Sequence, residues 1–161
     1  MKKITLIMAG IISCALLAGC GGNTVSGSDG SSASESNSKT PAEKTTELLA
    51  AVEFPSMVEL TADDLSARYD IEADKLTAFS AYICGSGAMP DEFGVFEAAD
   101  SDTAAAIKTS LDERVKKQRD SYADYKPDEM YKFDDCFVTQ KGTMVIYAIC
   151  ADNSAAADIL G

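Results

Sequence analysis

The first 40 residues of this chain cannot contribute to a folded core. Residues 4–16 form an uncharged apolar run after Lys2 and Lys3, and residues 21–40 are almost entirely Gly, Ser, Asn and other small residues. A stretch with so little apolar surface cannot offset the entropy lost on ordering, so it predicts a flexible tether over 20–40. Roughly 120 residues then remain from 41 to 161, enough for one globular domain with one core.

The N-terminal segment has the features of a secretion signal. Its apolar run is too short for a membrane-spanning helix, which needs roughly 20 apolar residues. The run ends in Leu17-Ala18-Gly19-Cys20, which resembles the lipobox of a bacterial lipoprotein signal peptide. That resemblance implies cleavage of residues 1–19, a diacylglycerol on the Cys20 sulfur and an extracytoplasmic domain anchored to the cell membrane. A plain secretory signal with a chance cysteine is the alternative.

The charge of the chain limits its partners. The net charge is −12, and it becomes −14 once Lys2 and Lys3 leave with a segment that holds no acid. Such a surface repels nucleic acid and anionic lipid headgroups, so we expect no nucleic-acid partner. Solubility in an envelope compartment is the favoured explanation of the acidity, and a cation-binding face is the alternative.

The cysteines of the predicted globular domain are odd in number. Cys14 leaves with the signal and Cys20 accepts the lipid, so Cys84, Cys136 and Cys150 remain. Each lies in an apolar, strand-like run, where a free cysteine behaves as a small hydrophobe. We expect three buried thiols, with one disulfide or a reactive thiol as alternatives.

Capping residues and hydrophobic periodicity predict an α+β fold. Thr40, Thr61, Asp100 or Ser101, and Asp152 or Asn153 each stand where a helix should begin. The predicted helices cover 41–52, 62–69, 102–122 and 153–160, and the predicted strands cover 76–84, 92–98, 132–139 and 143–150. The expected order is two N-terminal helices followed by ββαββα. We expect a four-stranded, mainly antiparallel sheet with the helices on one face, a two-layer sandwich. Residues 96–107 resemble residues 148–159, through either duplication or coincidence.

The residues needed for common catalytic sites are missing from the sequence. It has no histidine, which removes Ser-His and Cys-His pairs and imidazole metal ligands. Ser86 lies between two glycines with no base nearby in sequence. The carboxylate pairs 63–64, 91–92 and 134–135 are expected by chance in so acidic a chain. The sequence therefore predicts a non-enzymatic domain, the alternative being a hydrolase or transferase that uses a carboxylate pair or Ser86.

No metal or cofactor motif stands out either. Acids alternate over 70–74 as in a calcium loop, but Lys75 stands where the sharp turn needs glycine, and Ala81 where the bidentate glutamate belongs. There is no phosphate-binding glycine loop and no paired-cysteine zinc motif. We therefore expect neither a metal nor a cofactor.

One helix carries a candidate binding patch. Arg114, Gln118 and Tyr122 follow at a spacing of four and share a face of the predicted 102–122 helix, and Tyr125 follows them. Planar donors and ring hydroxyls on one ridge suit recognition of an envelope protein or a small ligand. The same residues can instead anchor the helix on the sheet, with Arg114 reaching a carboxylate such as Glu92 or Glu97.

Several short segments together resemble a known family. These are residues 54–60, 92–98 and 125–127, Arg114 with Gln118, and Gly142 before the last strand. They are similar to a family of bacterial lipoproteins catalogued as domain of unknown function 4358. The resemblance covers the whole domain and implies a lipid-anchored location but no activity, so no catalytic residue carries over. Cysteine content varies within the family, which implies a packing role for the three domain cysteines.

Overall fold

The computed structural model describes residues 39–161. The leader, Cys20 and nearly all of the predicted tether lie outside these residues. The elements are α1 (Pro41–Ala51), β1 (Met57–Glu59), α2 (Ala62–Tyr69), β2 (Leu76–Cys84), β3 (Glu92–Ala98), α3 (Ser101–Tyr125), β4 (Phe137–Lys141), β5 (Met144–Ile149) and α4 (Asn153–Leu160). In this part of the chain, no helix is both long enough and apolar enough to cross a membrane.

Five strands of the described domain form one antiparallel sheet in the order β1-β2-β3-β5-β4. The α+β class and the ββαββα order after α2 are as expected, but the prediction of four strands was wrong. The additional strand, β1, pairs with β2 and places Met57 opposite Cys84. It is only three residues long and lies at the edge of the sheet with Val58 half exposed, so it lacks the alternating pattern that marks a strand.

Helices cover both faces of the sheet, so the prediction of a two-layer sandwich with helices on one face was wrong. Phe93 and Val95 pack with α1 and α4, whereas Phe96 and Ala98 pack with α2 and α3. Successive side chains of a strand point to opposite faces, so a central strand that is apolar at both parities needs cover on both sides. The result is three layers, with an α1/α4 face and an α2/α3 face.

The helix starts follow the capping signals. Thr40 and Thr61 form capping boxes with Glu43 and Asp64, and the Asp100 carboxylate accepts the Thr103 N–H at 2.7 Å. Helix α3 is longer than predicted and reaches Tyr125. Residues at helical spacing along its inner face are buried or half-buried, at positions 104, 107, 111, 115, 118 and 122.

The third predicted strand was misplaced. Strand β4 begins at Phe137, not at residue 132, because Pro127–Phe133 forms a 3₁₀ segment. Proline starts that segment, and Lys132 within it is buried in ion pairs. The segment links α3 to β4 along the side of the sheet where the candidate site lies.

Candidate functional site

A small cavity lies where the loop over 85–90, between β2 and β3, meets the C-terminal half of α3. The Tyr122 hydroxyl donates to the Gly87 carbonyl at 2.9 Å, and the Lys126 ammonium donates to the Ala88 carbonyl at 3.3 Å. These two bonds hold the loop against the helix. This cavity is partly open to solvent and has a volume of about 260 Å³, and its polar wall includes Arg68, Asp91, Glu92, Arg114, Gln118 and Tyr122.

One wall of the cavity is a buried ion pair. Glu92 opens β3, is 1 % exposed, and accepts two hydrogen bonds from the Arg114 guanidinium at 3.2 and 2.8 Å. The Gln118 side-chain amide donates to the same carboxylate at 3.2 Å. A two-pronged guanidinium–carboxylate contact is both strong and orientationally selective, so it sets the position of α3 on the sheet.

Aromatic side chains line the inner side of this ion pair. The Arg114 guanidinium lies 5.0 Å from the centroid of the Tyr69 ring, and the Tyr147 hydroxyl donates to the Tyr69 hydroxyl at 2.8 Å. Burial raises the pKa of both tyrosines, with the Glu92 carboxylate acting in the same direction. Burial alone would lower the pKa of Arg114, but hydrogen bonds and charge attraction from Glu92 outweigh it and raise that pKa. The Arg114 guanidinium therefore stays charged at all ordinary pH values.

A second buried ion pair lies beside the first. The Lys132 ammonium contacts the Asp91 carboxylate at 2.6 Å and the Glu129 carboxylate at 2.9 Å. Burial alone would lower the pKa of Lys132, but these two carboxylates raise it. Asp91 is 1 % exposed, and within the described domain its Oδ1 atom has no hydrogen-bond partner. A buried acceptor of this kind is uncommon in proteins and marks a place where a donor is missing.

A thiol also lines the cavity. Cys84 is buried at the end of β2, and its sulfur lies 3.3 Å from the Ser86 hydroxyl oxygen. The three cysteines of the described domain are free, as the preferred interpretation expected. Cys84 and Cys150 are buried, but Cys136 is only half-buried.

The four residues of the predicted binding patch all lie in this region, but three line the cavity and the fourth is exposed. Arg114, Gln118 and Tyr122 line the cavity and also make the internal contacts above, including the expected contact of Arg114 with Glu92. Tyr125 is 68 % exposed, and its ring meets Tyr122 edge to face at 6.0 Å. The four residues thus form a continuous strip from the cavity wall to the surface.

Ser86 and the acidic pairs, the residues considered for hydrolysis, are not arranged as in a hydrolytic site. Ser86 is exposed, and its hydroxyl oxygen accepts the Ala88 N–H at 3.2 Å. Asp91 and Glu92 are each paired with a different cation, and Asp134 and Asp135 are exposed. A glycosidase needs two carboxyl groups that face each other across a cleft, an arrangement that none of these pairs shows.

A larger groove of about 610 Å³ lies elsewhere, between β4 and α4. The buried polar residue in its wall is Asn153, whose amide oxygen accepts the Cys150 N–H and whose amide nitrogen donates to the Lys132 carbonyl. Both amide atoms of Asn153 thus make internal bonds, whereas Asp91, which lines the smaller cavity, has an oxygen without a partner in the described part of the chain. The smaller cavity therefore has the stronger case as a binding site.

Sequence reasoning missed the pairing of Asp91 with Lys132 and the place of Cys84 on the cavity wall. The two charged residues are 41 positions apart, and neither stands in a recognisable motif. The one available signal is the acidic pair that directly precedes the apolar strand β3, since acids beside a buried strand need partners.

Comparisons with known proteins place the domain in a family. Residues 50–150 match the family described as "Domain of unknown function (DUF4358)". No curated protein and no solved structure matched the chain. Three of the segments behind the resemblance meet at the cavity, which Glu92, Arg114 and Gln118 line and whose loop Lys126 holds. The match spans more than half of the sequence, and the chain therefore belongs to this family.

Proposed function

We propose that the protein is a lipoprotein, anchored through Cys20 on the outer side of the cell membrane, whose domain is a non-enzymatic binding module. Its binding site is the cavity between the 85–90 loop and α3, together with the strip that leads to Tyr125. The observation that carries the proposal is the polar cavity itself, where the Glu92–Arg114 pair and Asp91 meet. Ligand sites are concave and fix the orientation of the ligand through a few placed polar groups, and this cavity supplies such groups.

The size and chemistry of the cavity suit a small polar group. A volume of about 260 Å³ is below the usual range of drug-sized pockets, so it fits a small ligand or one side chain of a partner protein. Arg114 and Glu92 hold each other in place, so they offer a wall that does not have to reorganise on binding. The acidic surface of the rest of the domain favours a partner that is neutral or basic there.

A hydrolase or transferase has less support. Catalysis by Ser86 needs a base, and the atoms in contact with its hydroxyl are the Ala88 N–H and the Cys84 sulfur. The Asp91–Glu92 pair is held by Lys132 and Arg114, so neither carboxylate is placed to act as the acid or base of a cleft.

Crosslinking of the lipidated protein in its native membrane, followed by mass spectrometry, tests the proposal. Gln118→Ala removes one side chain from the cavity wall, and Ser121→Ala, an exposed position on the same helix, is the matched control. We expect a recurrent partner that the Gln118 variant and Cys20→Ala lose and the Ser121 variant keeps. A partner unaffected by Gln118→Ala would move the binding surface elsewhere. The absence of any partner would leave a small ligand, to be sought by a metabolite screen on the same variants.

A further inference from the structure

We propose that Cys84 is a modification site, a thiol that exchanges with small disulfides carrying an ammonium group. The inference goes beyond reversible binding, although it uses the same cavity. Two separate observations carry it. One is the contact of the Ser86 hydroxyl with the Cys84 sulfur, and the other is the unpartnered Oδ1 atom of Asp91, a residue that lines the same cavity.

The loop holds the Ser86 hydroxyl against the Cys84 sulfur. The Ser86 hydroxyl oxygen accepts the Ala88 N–H, so its own proton is available to the Cys84 sulfur at 3.3 Å. Donors of this kind favour the thiolate, which is the nucleophilic form of cysteine.

The three cysteines differ in the direction of their pKa shifts. Burial raises the pKa of Cys136, and burial raises that of Cys150 to about 11. Burial acts in the same direction on Cys84, and the Asp91 carboxylate adds to it, yet the donors from Ser86 and Met89 outweigh both and lower its pKa. Cys84 should therefore be the most reactive of the three, although Cys136 is more exposed.

The Asp91 carboxylate favours disulfides that carry an ammonium group. Its Oδ2 atom contacts Lys132, while Oδ1 is left without a donor among the described residues. Both oxygens of Glu92, in contrast, already accept hydrogen bonds from α3. Within residues 39–161, the Oδ1 atom of Asp91 has no hydrogen-bond donor beside it. An ammonium group would supply such a donor, together with a positive charge opposite the carboxylate.

The reaction balances without a further reagent. The Cys84 thiol loses its proton to water, and its sulfur attacks one sulfur of the disulfide. The disulfide bond of the reagent breaks, a new bond joins Cys84 to one half, and the other half leaves as a thiolate that takes up a proton. Cys84 is oxidised, and the leaving half of the reagent is reduced.

The test measures the rate of mixed-disulfide formation at each cysteine of the full chain by peptide mass spectrometry. Cystamine is the ammonium probe, and bis(2-hydroxyethyl) disulfide is the neutral probe. Cys136, which follows Asp134 and Asp135, is the internal control for general attraction of cations to an acidic surface. We expect cystamine to modify Cys84 faster than Cys136, since a lower pKa leaves a larger fraction of the thiol as the nucleophilic thiolate. Faster reaction at Cys136 would overturn the proposal.

Two variants separate the roles of the neighbouring residues. Asp91→Asn should remove the preference of Cys84 for cystamine over the neutral probe, and Lys132 keeps Glu129 as its partner in that variant. Ser86→Ala, on an exposed loop, should slow Cys84 toward both probes. An unchanged preference in the first variant, or an unchanged rate in the second, would contradict the assignment. These rates do not depend on finding a crosslinked partner, so the two proposals fail separately.

Discussion

At the scale of single residues, Glu92 shows how a buried charge is tolerated. Its carboxylate is 1 % exposed and is held by Arg114 and Gln118 from one helix. A buried ion pair contributes little net stability, because the desolvation of both charges opposes their attraction. Removing one member alone is different, since it leaves a charge that is buried and unpaired.

Arg114→Met should therefore lower the free energy of unfolding by about 3–5 kcal/mol. The double variant Glu92→Met/Arg114→Met should recover most of that loss, because it leaves no buried charge. Urea unfolding measures both values. Arg119→Met is the matched control, because its partner Asp134 is exposed and such a pair contributes at most about 1 kcal/mol. Equal costs for Arg114→Met and Arg119→Met would contradict this account of the site.

Gly94 lies at the centre of the sheet, where the neighbouring side chains are closely packed. It lies on β3 between Ala81 of β2 and Tyr147 of β5. A Cβ atom there would lie 2.8 Å from the Ala81 Cβ and 3.0 Å from the rings of Phe96 and Tyr147. These neighbours are fully buried and cannot move away cheaply.

Gly94→Ala should destabilise the domain by about 1–3 kcal/mol, the usual cost of overpacking a core. Gly85→Ala is the control, because its Cβ would meet the Val58 side chain, which is half exposed and can rotate. Thermal unfolding should show a lower midpoint for the first variant alone. A normal midpoint for Gly94→Ala would show that the centre of the sheet has more space than its distances indicate.

At the scale of elements, the helix starts depend on local hydrogen bonds whose strength changes with pH. Asp64 accepts the Thr61 backbone N–H at 3.0 Å and the Thr61 hydroxyl at 2.7 Å. Hydrogen bonds from the Thr61 backbone and side chain are the main cause of the lowered pKa of Asp64. A lowered pKa means that this stabilisation is present above the pKa of an unfolded aspartate, about 3.9, and is lost as the pH falls through the folded value.

Thr61→Ala should cost about 1 kcal/mol at neutral pH, typical of a lost N-cap, and less at acid pH, where Asp64 is protonated in both proteins. Chemical denaturation at neutral and acid pH measures the difference. Thr109→Ala is the control, since Thr109 is exposed within α3 and its hydroxyl merely donates to the carbonyl of Ala105. A cost for Thr61→Ala that does not change with pH would separate the cap from the titration of Asp64.

N-cap residues explain why the helix starts could be predicted from the sequence. Thr40, Thr61, Asp100 and Asp152 all cap helices, because a cap depends on residues within one turn. Strand β1 depends on its pairing with β2 more than on its own composition, so it was missed. The contact of Arg114 with Glu92 was one of two alternatives, since spacing places Arg114 on a helix face without identifying its partner.

At the scale of the whole molecule, the distribution of helices argues against a symmetric duplication. Strands β3 and β5 are antiparallel neighbours, with β2 and β4 outside them. A two-fold axis that exchanged the two hairpins would run perpendicular to the sheet and would leave the following helices on one face. Helices α3 and α4 lie on opposite faces. The similarity of 96–107 to 148–159 is thus a shared pattern of strand, cap and helix start, without shared placement.

The net negative charge of the whole chain affects how the protein is held at the membrane. A domain of this charge is repelled by anionic lipid headgroups, so its surface adds no electrostatic attraction to the membrane. If the acyl chains on Cys20 are the anchor, they carry the whole of the membrane affinity, and two or more chains are enough for stable attachment. Loss of the lipid should then release the protein completely, whereas a basic domain would stay partly bound.

Cys20→Ala should therefore appear entirely in the soluble fraction after cell fractionation, at low salt as well as high salt, while the unmodified chain stays with the membrane. Cys14→Ala is the matched control, because Cys14 lies within the segment that cleavage before Cys20 would remove. That variant should remain membrane-bound. Release of Cys14→Ala, or a soluble unmodified chain, would contradict anchoring through Cys20. Retention of Cys20→Ala at low salt alone would instead assign membrane affinity to the surface of the domain.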